Sequence, residues 1–274
     1  MRLVSHSELK ANGRRSLANG FFMALIACLI VAAVSYGFNY AVNTIFLKEY
    51  TDEISEITQD FLEDYDGDMD DLNEYIHDVN KITSRDDYRR ASGISSLIDG
   101  VFNILVVSVL SVGMLRFFLL LRYNRKNPGT VFGHFTGGHY FNTVKTNFFQ
   151  GLYIFLWALL LVIPGIVKAY SYFMVSYIIA ENPEISTKRA FEISKDTMYG
   201  SRADLFTLQL SFIGWFLLSC LTFGLGFIWL VPYFRATMAE YYVYMKAKAF
   251  ERRITDISEL PDVEFSGAGT GYED

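Results

Sequence analysis

Arg235 is the residue most able to do chemistry in this sequence, because it is a permanent cation set inside an apolar run. It stands nine residues beyond Gly226, near the middle of the stretch that continues to Met245. If that stretch crosses a bilayer, a charge at its centre costs at least ~2.5–3.5 kcal/mol on insertion scales, so the guanidinium should face other helices and be paired or hydrated. Glu240, Asn39, Asn103 and Gln209 are candidate partners, although Glu240 is five residues away on the same helix, a poor spacing for same-face pairing. Arg235, Glu240, Asn103 and Gln209 therefore form a candidate intramembrane polar site. It would serve a solute or a lipid headgroup, against the plainer reading of buried packing and hydrogen bonding. Lys168 lies only three residues past Gly165 and can snorkel outward.

Other constellations fall short of a site. Asp64-Tyr65-Asp66-Gly67-Asp68-Met69-Asp70-Asp71 suggests calcium, but with Gly67 as the sixth loop residue an EF-hand register puts Leu62 first and Asn73 twelfth, where oxygen ligands are needed. A solvated acidic loop is the expectation. His134 and His139 are five apart, not the four of a helical zinc pair, and no acid or cysteine adjoins them. Cys28 and Cys220 sit in apolar blocks and read as packing residues. Leu25-Ile26-Ala27-Cys28 resembles a lipobox, but the apolar run continues past it to Val34. No Ser/His/Asp order, paired catalytic carboxylates, phosphate loop or nucleotide fingerprint is present. The expectation is a protein that is not an enzyme, with no cofactor, no metal and no nucleic-acid partner.

The elements that must position Arg235 follow from hydropathy. Of 274 residues 51% are hydrophobic and 20% charged, and the apolar ones gather in blocks of about 20, the length that spans ~30 Å of hydrocarbon at 1.5 Å per residue. Phe21–Leu47 is a first span and Ile98–Leu121 a second, ending on Arg116, Arg122, Arg125 and Lys126. Between them, residues 48–97 carry 15 acidic and 5 basic side chains, so the rest of the chain is net positive although the whole is −6. Their pattern suggests one or two amphipathic helices broken at Asp66-Gly67. Phe148–Ala180 is too long for one straight span. Basic residues flank both of its ends (Lys145; Lys188, Arg189), which argues for a hairpin turning at Pro164-Gly165. Leu205–Met245 repeats that logic around Phe223-Gly224-Leu225-Gly226. Basic amphipathic segments at 5–19, 124–147 and 184–204 precede each pair of spans, a loose threefold repeat. Ser186 is an expected N-cap, Gly200 an expected helix stop, and residues 254–274 an expected disordered cytoplasmic tail.

Several motifs carry a family resemblance. Leu156-Trp157-Ala158-Leu159-Leu160-Leu161-Val162-Ile163-Pro164-Gly165-Ile166-Val167-Lys168-Ala169-Tyr170-Ser171-Tyr172, Glu181-Asn182-Pro183-Glu184, Ala190-Phe191-Glu192-Ile193-Ser194 and Val231-Pro232-Tyr233 together resemble the bacterial membrane-protein family called domain of unknown function 975. The likeness is strongest over 150–245 and collinear before that, with Val112-Gly113-Met114-Leu115-Arg116-Phe117 its best early part. The family is also distantly similar to the membrane domain of some glycerophosphodiester phosphodiesterases. The resemblance implies a bacterial plasma membrane and supplies no activity and no catalytic residue. At 235 and 238 it implies a neutral amide and a basic residue, where this chain has Arg235 and Met238.

The expected architecture is thus all-α: a polytopic transmembrane bundle forming one membrane domain, 1–253. About six spans (21–47, 98–121, 148–163, 165–181, 205–222, 226–246) leave both termini in the cytoplasm and the acidic loop outside. The expected role is a non-enzymatic, multi-pass component that meets the bilayer and its anionic headgroups at the cytoplasmic face, with protein partners unknown. The alternative is a transporter or carrier with a site near Arg235, suggested by the paired breaks in the two hairpins.

Overall fold

The computed structural model describes residues 4–261 apart from Asn19 and Gly137. Its described residues are mostly helical, with no strand among them. The helices are α1 (His6–Ala18), α2 (Phe21–Asp64), α3 (Met69–Thr83), α4 (Asp86–Phe102), α5 (Ser108–Leu121), α6 (Tyr140–Leu160), α7 (Val162–Ser171), α8 (Val175–Glu181), α9 (Thr187–Met198), α10 (Arg202–Leu210), α11 (Ile213–Leu221) and α12 (Phe227–Glu251). A π-turn, Asn103–Val107, joins α4 to α5. Four stretches are long and apolar enough to cross a membrane: Phe21–Asp64, Asp86–Leu121, Val162–Glu181 and Arg202–Leu221.

The chain packs as two compact units, Ala32–Asn103 and the remainder. The Ala32–Asn103 unit is an antiparallel pairing of α2 with α4, and contact partners that climb along α2 descend along α4. Phe38 stacks on Phe102 at 3.6 Å, Asn39 donates to Asp99 (2.7 Å), Ser95 donates to Asn43 (2.8 Å), and Arg85 grips Glu53 with two bonds of 2.6 and 2.8 Å. The expected break falls at Gly67, whose φ of +100° suits glycine. Asp68 then caps α3 by accepting from the Asp70 amide, so the aspartates here serve as turn and cap residues.

The other unit is built around α5, buried along nearly its whole length, with α8 and the second half of α12. Gly113 is the reason residues 124–139 can lie against it. A Cβ there would stand 1.9 Å from the Val131 carbonyl oxygen. The basic segment 124–147 divides here: its first part forms a single 3-10 turn, Pro128–Phe132, that buries Val131, and α6 begins at Tyr140. Gly13 plays the same part for α1, bringing it onto Thr237 of α12.

Both hairpins are present, and one turns at a different place. The first reverses at Leu161, which is extended (φ −157°, ψ 136°), so Pro164-Gly165 lies inside the first turn of α7. Proline is tolerated there because that turn needs no amide donor. Gly165 is needed for packing, since a Cβ on it would meet the Ala158 Cα at 2.6 Å. The second hairpin turns where expected, with Phe223 (φ 50°) and Gly224 (φ 86°) left-handed. The runs 165–181 and 205–222 are not single helices, because backbone turns at 172–174 and 211–212 divide them.

The start of the expected tail is pinned rather than loose, while 262–274 lie outside the described residues. Arg189 holds Glu259 through two bonds of 2.7 and 2.8 Å, Asn182 donates to the Glu259 carbonyl oxygen, and Leu260 is fully buried. The Arg189 hydrogen bond lowers the Glu259 carboxyl below its ordinary 4.5, and hydrogen bonds from Ser258 lower Asp256 below 3.8. Both groups therefore add stability above their unfolded values, and lose it as pH falls through their folded ones. Hydrogen-exchange protection factors at 254–260, corrected for the intrinsic rate at each pH, should be high at neutral pH and fall in acid as Glu259 and Asp256 take up protons. Equal protection at both pH values would show that the ion pair does not hold this segment.

Candidate functional site

The strongest polar constellation lies inside the α5–α8–α12 core. Glu181, the last residue of α8, is 1% exposed, and Lys246 of α12 is 4% exposed. Their side chains form a direct ion pair, and the Tyr242 hydroxyl donates to the other Glu181 oxygen at 2.5 Å. Arg116 of α5 donates to the Ala180 carbonyl oxygen at 3.3 Å. Six residues on from Arg116, Arg122 meets Glu240 at 2.7 Å. Tyr242 and Lys246 share a face because they are four apart on a helix, and Tyr242 stacks on Tyr177 of α8 at 4.9 Å. Three helices are thus tied by charges that are both paired and hydrogen-bonded, the condition under which burial of charge is tolerated. The cavity between Leu119, Arg122, Tyr123, Glu181, Tyr242, Val243 and Lys246 is about 10 Å³. That is at the lower limit for one water and far below a ligand site.

The sequence-derived site divides. Glu240 does pair, with Arg122 rather than with Arg235. Gln209 accepts from the Tyr170 hydroxyl at 2.9 Å. Asn103 and Asn39 belong to the Ala32–Asn103 unit, where both donate to Asp99. Arg235 is half-buried, close enough for its charge to act on Cys28 and Tyr177, and has no ion pair or hydrogen bond among the described residues. Glu181, Lys246 and Tyr242 escaped the sequence reading because each stands at the end of an apolar run and looks like a flank. The i, i+4 spacing of Tyr242 and Lys246 was the signal available.

Comparison with known families decides what this chain is related to. The family described as "Protein of unknown function (DUF975)" matches residues 1–249. The chain belongs to that family. No curated protein and no solved structure matches it. A family with no assigned activity leaves the roles of its residues to geometry.

In this family member, His134 is the buried group most sensitive to pH. It is 3% exposed, Nε2 faces the Ile179 carbonyl oxygen at 3.3 Å, and Nδ1 has no partner among the described residues. Burial, then the nearby Arg116 charge, lowers it from 6.5 to about 4. An imidazole kept neutral while the unfolded chain takes up a proton makes stability fall as pH drops from 6.5 towards 4. Between pH 7.5 and 5 the loss should be about 2 kcal/mol. His134→Gln should flatten that dependence in chemical unfolding, and an unchanged slope would assign it elsewhere. His139, by contrast, sits at the surface 3.6 Å from Glu184.

Arg235→Gln should change unfolding free energy by less than about 1 kcal/mol, because no ion pair is broken and glutamine keeps hydrogen-bonding capacity. A larger loss would mean that the guanidinium bonds within the core.

An acidic cleft of about 370 Å³ opens in the Ala32–Asn103 unit between Asp60, Asp64, Asp71, Glu74 and Asp78, with Phe61, Tyr65 and Tyr75 on its walls. Partial desolvation and the neighbouring Asp66, Asp68, Asp70 and Asp64 push Asp71 above its ordinary value. Among the described residues no group of three or more His, Cys, Asp or Glu side chains is placed to hold a metal ion.

Proposed function

We propose that this protein is a non-enzymatic integral component of a bacterial plasma membrane, with basic helices at the cytoplasmic face engaging anionic headgroups. The observation that carries the reading is the extent of uncovered apolar surface. Phe22, Tyr36 and Ile45 on α2, Leu159–Ile163 at the first hairpin, and Leu217, Leu221 and Phe223 at the second are all exposed, Phe223 completely. Soluble monomers rarely expose apolar patches beyond a few hundred Å². The buried polar network supports a scaffold, since its charges satisfy one another and leave almost no space.

The charge pattern supports the orientation. Basic residues flank α1, α9 and the end of α12, and the acidic run occupies 48–97, so the positive-inside rule places both termini inside and the acidic segment outside. Six passes is the count if both hairpins go through. The test has two parts. Alkaline carbonate should leave the protein in the membrane pellet, and release into the supernatant would end the integral reading. Phosphatidylglycerol added to the detergent-solubilised protein should raise its melting temperature by several degrees more than phosphatidylcholine does. Equal shifts would remove the headgroup role.

A further inference from the structure

The two hairpins, α6–α7 and α11–α12, share dimensions that suit neither a soluble surface nor a full crossing. The first is closed at its base by Gln150 donating to the Tyr172 carbonyl oxygen (3.0 Å). From there to the turn at Leu161 each arm has eleven residues. The base of the second is the buried Phe212, packed at 5.3 Å against both Tyr233 and Phe234. From there to Phe223-Gly224 the arms have ten or eleven residues. At 1.5 Å per residue each arm reaches about 16 Å, half of the ~30 Å hydrocarbon thickness. Val162–Glu181 and Arg202–Leu221 are long enough to cross when counted whole, but the 172–181 half is largely buried in the protein's own packing, and the 202–212 half buries one side, Leu205, Leu208 and Phe212, against it.

Both turns point the same way. Phe173 meets Tyr241, Tyr177 stacks on Tyr242 and Glu181 pairs with Lys246, so α8 and α12 advance in parallel. The base of the first hairpin also meets α10, which leads into the second, where Tyr170 packs on Phe206 and bonds Gln209. Cations mark that level. Lys10 lies 4.4 Å over Phe212 and donates to the Ser211 carbonyl oxygen, and Lys168, four residues from the base at Tyr172, lies over the Tyr172 and Trp157 rings. Amphipathic cations and aromatic rings together are the side chains that settle at the headgroup boundary.

We infer that the two hairpins form a two-pronged wedge that enters one leaflet of an anionic phospholipid bilayer and stops near its midplane, leaving full crossings to α2 and the Asp86–Leu121 stretch. The inference rests on the membrane reading above and replaces six passes by two passes and two re-entrant hairpins. It also accounts for Arg235. One residue past Phe234, it stands at the base of the second hairpin, near the headgroups rather than at mid-membrane, so its charge needs no buried partner.

The test uses the full chain in proteoliposomes of phosphatidylglycerol and phosphatidylcholine, with Cys28 and Cys220 changed to serine and a single cysteine at Leu161→Cys or Phe223→Cys. Both positions are exposed side chains at turns, and carbonate extraction of each variant checks membrane integration separately. The expected result is that a membrane-impermeant maleimide labels neither cysteine from either side until detergent is added. Lipids brominated near their chain ends should then quench Trp157, four residues from the first tip, severalfold more than lipids brominated near the headgroup when Trp215 and Trp229 are changed to phenylalanine. Labelling from the side opposite the termini in carbonate-resistant protein would show crossing hairpins and overturn the wedge while the membrane reading stands. Labelling from the side of the termini in resistant protein would show hairpins outside the bilayer, and would overturn it as well. Loss of carbonate resistance would bring down both.

Discussion

Glu181→Ala should destabilise the protein by about 3–5 kcal/mol, the cost of removing one partner from a buried ion pair. The Lys246 ammonium, 4% exposed, would lose its carboxylate, and the Tyr242 hydroxyl would lose its acceptor. Two outcomes separate this account from a simple cavity effect. Glu181→Gln should cost nearly as much as alanine, because it preserves volume but not charge. The double variant Glu181→Leu with Lys246→Met should recover much of the loss, since an apolar pair of similar size removes both charges together. Chemical unfolding of wild type, Glu181→Leu, Lys246→Met and the double variant in one detergent measures the cycle. Strictly additive losses would show that the two side chains do not depend on each other.

Gly113→Ala should cost about 3 kcal/mol, the upper part of the usual range for overpacking, although alanine is the better helix former by about 1 kcal/mol. The added Cβ would lie 1.9 Å from a backbone carbonyl oxygen of Val131, with the carbonyl carbon at 2.6 Å, so no side-chain rotation can relieve it. The 3-10 turn must move off α5, and it carries His134 with it. The same variant should therefore expose the imidazole and shift its titration from about 4 towards the ordinary 6.5, which NMR of the histidine ring would detect. Gly151→Ala is the control, because nothing lies within 4 Å of a Cβ there, so no overpacking cost should arise. A stable Gly113→Ala protein with an unchanged His134 titration would mean that the turn is not held by this contact.

What the sequence could determine was whatever a local run of residues encodes. Helix class, the two hairpins, the break at Gly67 and the Ser186 cap all follow from apolar run length, glycine placement and capping chemistry acting within a few residues. The Arg235 site was placed from the same local signals, on the assumption that a run of ~20 apolar residues has its middle at mid-membrane. α1 and Phe212 cover part of that run, and the wedge proposed above would set Arg235 at the headgroup level instead. Only the tertiary structure could decide that Glu181 pairs with Lys246, 65 residues away, that Glu240 turns to Arg122 instead of Arg235, and that residues 124–139 sink onto Gly113. The physical reason is one of range. Hydropathy and capping act between neighbours along the chain, whereas a buried charge takes whichever opposite charge the packing of distant helices brings within reach, and a glycine in a helix does not announce what will lie against it.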